Sequence, residues 1–212
     1  MARSQTYTET EEKIFDAALV VFSQKGRDGA RMQEIAETAG INQALLHYYF
    51  RSKEKLYETI FSHVFEEFMS AAADPFEDDL PFAEMLEAFI DRFMSIHAAH
   101  PEISRLWVLE NLAGAPVVGE MLKQQMEDNP KLVPKLFFAR IQRAIDEGDV
   151  REVDPFHTFI TLLGASVFFF LAFPTLSTVY PAFAQDKEAA IEARKKHLFD
   201  ILYYGLQKKP NS

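Results

Sequence analysis

His97 and His100 lie three residues apart with Glu102 two residues further on, roughly the spacing at which one helix face can hold a divalent cation. Pro101 falls inside that group and breaks a helix there, so no metal is expected. The chain lacks a glycine-rich phosphate loop, a GxSxG nucleophile elbow and an HExxH pair. It also lacks cysteine, which excludes disulfides, thiolate metal sites and thiol nucleophiles and fits a reducing compartment. Neither an enzymatic activity nor a cofactor is expected. The informative segment is instead 32–50, MQEIAETAGINQALLHYYF. It reads as a short helix, a turn at Gly40 and a second helix. Ile41, Leu46 and Phe50 would form a buried side against Ile35, Ala36 and Ala39, and the small alanines allow a close crossing. A helix-turn-helix has this pattern, and it props the second helix where its first half can enter a DNA major groove.

The elements that would carry this pair are helical along the whole chain, giving an all-α fold. Thr8 and Glu11 have capping-box spacing, and Ile14, Ala17, Ala18, Val21 and Phe22 follow at helical intervals as far as Lys25-Gly26. Helix two spans Met32 to Ala39. Helix three starts from Asn42 as N-cap and reaches Phe50. Ser52 caps a longer helix carrying Leu56, Ile60, Phe61, Val64, Phe65 and Phe68, which ends near Asp74-Pro75. Further helical patterns occupy about 82–99, 102–112, 116–127, 131–147, 155–180 and 185–207, with Pro and Gly between them. No strand alternation and no internal repeat is present.

Apolar residues make up 48% of the 212 and charged residues 25%, as in a folded globular protein. The 20 Phe beside a single Trp suit an aromatic core and equally an apolar pocket. The net charge of −10 is uneven, with residues 1–58 at −1 and the remainder at −9. Such acidity does not exclude DNA, because phosphate contacts are local and salt screens charges beyond roughly 10 Å. The first residues turn acidic where a signal peptide would need an apolar run, so a cytoplasmic location is expected. Residues 155–185 contain no Asp, Glu, Lys or Arg, and a membrane anchor is one reading of them. Pro155, Pro174 and Pro181, with six Ser and Thr, favour a helix buried by protein, and no membrane partner is expected.

From Lys25-Gly26 through Ile35-Ala36, Ala39-Gly40-Ile41, Leu46 and Phe50 to Ser52-Lys53-Glu54 and Leu56, the chain resembles the DNA-binding domain of the TetR family of transcriptional regulators. The likeness runs from Ile14 to Phe61, and the string YYFRSKEKLY makes it specific. It implies a three-helix DNA-binding domain over 1–58 and a larger helical ligand-binding and dimerisation domain over 59–212. The function implied is a ligand-responsive regulator, a repressor released from a near-palindromic operator by a small hydrophobic effector. Membrane-anchored DNA binding, or lipid binding without DNA, stand as the alternatives.

The resemblance also distributes roles. Gln43 matches a base-contacting position, with an amide suited to adenine, and Ala44 and Leu45 match neighbours that meet thymine methyls. His47 and Tyr48 match phosphate contacts, as does Lys53, and Met32 opens the second helix beside them. Two positions depart from the family. Arg31 replaces the usual Ser or Thr cap and can bind phosphate without capping, which leaves Asp28 to cap. His47 replaces Tyr, with shorter reach and pH sensitivity.

In the second domain the resemblance assigns 155–180 and 185–207 to a four-helix homodimer bundle. Phe159, Leu163, Val167 and Phe170 would form one seam and Leu198, Ile201, Leu202 and Leu206 the facing stripe. The effector pocket would lie among the middle helices. Its walls would be Met85, Phe89, Phe93, Met94, Leu106, Trp107, Met121, Met126, Phe137 and Phe138, with His97, Glu110, Asn111 and Gln124 as polar anchors.

Overall fold

A computed structural model describes residues 8–208. Among these residues the regular structure is helical, apart from an isolated antiparallel bridge between Val150 and Gln207. The helices are α1 (Glu9–Gly29), α2 (Met32–Ala39), α3 (Gln43–Tyr49), α4 (Lys53–Ala73), α5 (Phe82–Ala99), α6 (Pro101–Leu112), α7 (Val118–Asp128), α8 (Val133–Glu147), α9 (Pro155–Val179), α10 (Pro181–Gln185) and α11 (Lys187–Leu206), with a 3₁₀ turn at Asp74–Phe76. They gather into two compact units, and each is described by itself.

The first unit joins Met1–Phe68 to His100–Gln125. It opens on the capping box: the Thr8 hydroxyl accepts from the Glu11 backbone N–H, and the Glu11 carboxylate accepts from that of Thr8. α1 buries Ile14, Phe15, Ala18, Val21 and Phe22 and packs on α2 and α6. Gly26 breaks it as the sequence predicts, at φ 69° and ψ 176°, a conformation only glycine adopts without strain. A further turn follows to Gly29, three residues beyond the Gly26 end that the sequence predicts. The turn has a consequence for Asp28, which sits within it with its carboxylate beside Arg27 at 3.4 Å. Asp28 therefore does not cap α2; Arg31 stands at the N-cap and no side chain caps that helix.

The second unit joins Met69–Ala99 to Met126–Ser212. α5, α8, α9 and α11 pack around an aromatic centre in which Phe89, Phe137 and Phe159 lie within 6.5 Å of one another, ring centre to ring centre. Each fully buried Phe contributes roughly 1.5–3 kcal/mol by leaving water. Ion pairs fasten the periphery: Arg140 and Arg143 share Asp79, and Lys195 on α11 reaches Asp91 and Ser95 on α5 as well as Glu192.

α9 is long and apolar enough to cross a membrane by length and composition. Its faces are nonetheless distinct. Phe159, Leu162, Ser166 and Phe169 are buried in the unit, while Phe156, Ile160, Phe168 and Leu171 are exposed at 39–69%. The anticipated seam of Phe159, Leu163, Val167 and Phe170 is thereby divided. Phe159 packs on Phe137 and Phe138, and Phe170 packs on His97, so two of its members serve their own core. On α11 likewise, Leu198, Leu202 and Leu206 are buried and Ile201 alone of that stripe is exposed, joined by Tyr204. An i, i+4 pattern shows that a helix has an apolar stripe, but α9 is apolar on both sides and its periodicity cannot say which side faces inward.

Candidate nucleic-acid interface and apolar core site

α2 and α3 form a rigid pair because their facing side chains leave water together: Ile35, Ala36 and Leu46 are at most 2% exposed, and Phe50 closes the base against Phe15. Gly40, left-handed at φ 67° and ψ 31°, ends α2 and turns the chain. The Ile41 N–H then returns to the Ala36 carbonyl at 3.0 Å. Asn42 starts α3 by accepting from the Leu45 N–H at 2.7 Å. The opposite side of α3 is offered to solvent. Gln43, Ala44, His47 and Tyr48 are all exposed, Tyr48 at 81%, while Leu45 is half-buried. Gln43 Nε2 and His47 Nε2 stand 3.4 Å apart, one helical turn from each other.

Around this face lie exposed Arg31, half-buried Met32 and half-buried Lys53. The Lys53 ammonium donates to the carbonyls of Asp28 and Ala30, both at 3.2 Å, and so closes the carbonyl end of the α1 extension. Because α2 has no side-chain cap, the N–H groups of its first turn keep their donor capacity for an anion. Arg51 is exposed in the short turn between α3 and α4.

The predicted effector-contacting residues fall in both units. In the second, Met85, Phe89, Phe93, Met94, His97 and Phe137 are buried together, with Phe138 half-buried beside Phe159. The His97 ring lies 4.6 Å from that of Phe93 and 5.8 Å from that of Phe170, and burial pushes its pKa down to about 4. It is therefore neutral at pH 7. Met126, also in this unit, is half-buried.

In the first unit Trp107 stacks on Phe61 and Phe65 at 6.4 and 6.2 Å, and Leu106 is buried beside it in sequence. Glu110 is buried with its carboxylate taken up internally: it accepts from the Tyr57 hydroxyl at 2.7 Å and from the N–H groups of Val117 and Val118 at 2.6 and 3.3 Å. Burial and this carboxylate raise the Tyr57 pKa far above its ordinary value. Asn111 is exposed and its amide donates to the Trp107 carbonyl, Gln124 is exposed and Met121 half-buried. His100 Nδ1 and Glu102 Oε1 stand 3.1 Å apart, within hydrogen-bond distance, and no cluster of three metal-ligating side chains occurs among the described residues.

A buried helix pair carrying an exposed polar helix face, followed by a larger helical body, defines a helix-turn-helix DNA-binding protein. Residues 14–60 match the family model for bacterial regulatory proteins of the tetR family, and residues 62–206 match that for the C-terminal region of YcdC-like proteins. The chain is 31% identical over 186 residues to the HTH-type transcriptional regulator RutR of Escherichia coli (strain K12), covering 87% of this chain and 85% of that one. It is 32% identical over 110 residues to the transcriptional repressor NicS of Pseudomonas putida, covering 52% of each. Among solved structures, the ketosteroid regulator KstR2 of Mycobacterium tuberculosis superposes with a TM-score of 0.73 at 16% identity, covering 99% of this chain and all of that one. FadR of Bacillus subtilis, solved with stearoyl-CoA, gives 0.69 at 18% identity, covering 93% of this chain and all of that one. The chain belongs to the TetR family, and it is a DNA-binding transcriptional regulator.

Proposed function

We propose that the chain is a cytoplasmic homodimeric repressor without catalytic activity, which leaves a near-palindromic operator when a small hydrophobic effector enters its C-terminal half. The DNA half of this reading rests on the exposed side of α3. Gln43 reads a base edge, Ala44 and Leu45 meet thymine methyls, and Arg31, Met32, His47, Tyr48, Arg51 and Lys53 surround them at the phosphates. Residues 1–58 carry this work, and 59–212 the sensing and dimerisation.

The dimer reading rests on Ile160, Phe168, Leu171, Ile201 and Tyr204, large apolar side chains exposed on two helices of one unit. A second copy covering that face would also explain why α9 carries no charge while being only half enclosed by its own chain. The effector reading rests on the Met85, Phe89, Phe93 and Phe137 cluster, where neutral His97 supplies a polar contact suited to an uncharged or weakly polar ligand. Trp107, Glu110, Asn111, Met121 and Gln124 carry less of that reading, since Glu110 is spent internally and Asn111 and Gln124 face solvent.

The test is an electrophoretic shift with the DNA flanking the chain's own coding region. Saturable retardation that weakens steeply with salt supports the proposal, and no preference over unrelated duplex at any salt concentration defeats it.

A further inference from the structure

α4 and α7 each begin in the first unit and end in the second, crossing between Phe68 and Met69 and between Gln125 and Met126. The carboxylate of Glu110, on α6, grips both of them. One oxygen accepts from Tyr57 of α4, and the other accepts from the backbone N–H groups of Val117 and Val118 where α7 starts. Tyr57 and Glu110 are 1% and 2% exposed, so these bonds form away from competing water and are costly to leave half made. The link from α6 to α7 is itself tightly set, with Gly114 at φ 89° and Ala115 at φ 53°, the latter an uncommon conformation for a residue with a Cβ. On its other side the Tyr57 ring stands edge-on to Phe22 of α1 at 4.9 Å, and α1 packs on α2. An unbroken series of contacts thus runs from the start of α7 through Glu110, Tyr57 and Phe22 to the helix pair that carries the recognition face.

We infer that Glu110 and Tyr57 are the positioning residues through which the state of the second unit is imposed on α2 and α3. The inference rests on the regulatory reading above and assigns Glu110 to signal transmission instead of ligand anchoring. A displacement of α7 along its own axis pulls on the N–H groups that Glu110 holds. The carboxylate must then either carry Tyr57 with it or release it. That gives a two-state element that both ends of the molecule can bias.

Coupling free energy is reciprocal, so DNA can serve as the probe in place of the effector. A duplex is selected from a random library on the wild-type chain, and hydrogen exchange of the full-length protein is followed with and without it. In the wild type, the bound duplex changes exchange over 117–125 and 133–147 by about fivefold or more, the lower end of ordinary coupling. Tyr57→Phe keeps the ring and its packing on Phe22, still binds the same duplex saturably, and loses that distant change. Should Tyr57→Phe fail to fold, Glu110→Gln is read in its place: it keeps an acceptor for α7 but not the charge, and weakens the distant change. A folded variant that transmits the full change, or a wild type whose exchange responds only within 8–68, overturns the inference. Failure to select any duplex is a different outcome and overturns the regulatory reading together with it.

Discussion

The ammonium of Lys53 sits 3.2 Å from the carbonyl oxygen of Ala30, 23 residues earlier in the chain, and thereby ties the start of α4 to the loop that leads into α2. A lysine so placed can serve two tasks. Two of its protons go to the carbonyls of Asp28 and Ala30, and its charge remains available to a phosphate. Lys53→Ala is expected to lower thermal stability by roughly 1 kcal/mol, the size of an ordinary partly exposed hydrogen bond. It should weaken binding to all duplexes alike and reduce the slope of log affinity against log salt by about 1. Fluorescence anisotropy titrations at several salt concentrations measure this, and an unchanged slope would remove Lys53 from the phosphate contacts.

Gln43 should behave in the opposite way. Its side chain lies on the exposed side of a helix whose other side is anchored by Leu46, so Gln43→Ala leaves the scaffold intact. The expected loss is about 1–3 kcal/mol of discrimination at a single base pair, with the salt slope preserved. Comparison of selected sequences for the two proteins checks it, and identical preferences at every position would count against a base contact.

The recognition half was legible in the sequence because its determinants are local. The Asn42 cap, the Gly40 turn and the Ile35, Ala36, Leu46 and Phe50 pattern are each set by residues within a few positions of one another, and each took the expected form. What escaped depends on long-range packing. Asp28 was expected to cap α2, but the turn beyond Gly26 directs it to Arg27. The hydrogen bond of Glu110 to Tyr57 was not legible, because Tyr57 lies 53 residues away and carries no motif. Which members of the α9 seam pack within their own unit was not legible either, because apolar residues surround that helix and only the positions of α5 and α8 decide which of them face inward.

Acid should destabilise the second unit through His97. Its folded pKa lies near 4, below the ordinary histidine value of about 6.5 that it regains on unfolding. The unfolded chain therefore binds more protons between these values. Stability from this group is fully present above about pH 6.5 and is lost as pH falls towards 4, by about 3 kcal/mol in all. Urea unfolding of the wild type and of His97→Leu across that range tests the sign. The variant should lose less stability on acidification than the wild type, and parallel curves would show that His97 takes no part.

The exposed apolar side of α9 and α11 allows the sharpest test of assembly, because its residues are not needed by the isolated chain. Phe168 is 69% exposed and Ile201 59%, so a charge at either costs the monomer little. In a two-fold interface each substitution occurs twice and near its symmetry mate, which places like charges together in a poorly hydrated seam. Phe168→Glu is accordingly expected to convert a dimer into a folded monomer in sedimentation velocity, with helical circular dichroism unchanged. Duplex affinity should fall with it, since one half-site then binds alone. Phe159→Ala is the contrasting change. That ring is buried against Phe137 and Phe89, and its removal should cost about 3–5 kcal/mol of stability through the cavity it leaves while the dimer persists. If Phe168→Glu remains dimeric, the two-copy covering of this side is wrong. If the wild type pellets with membranes and needs detergent to leave them, α9 is an anchor instead.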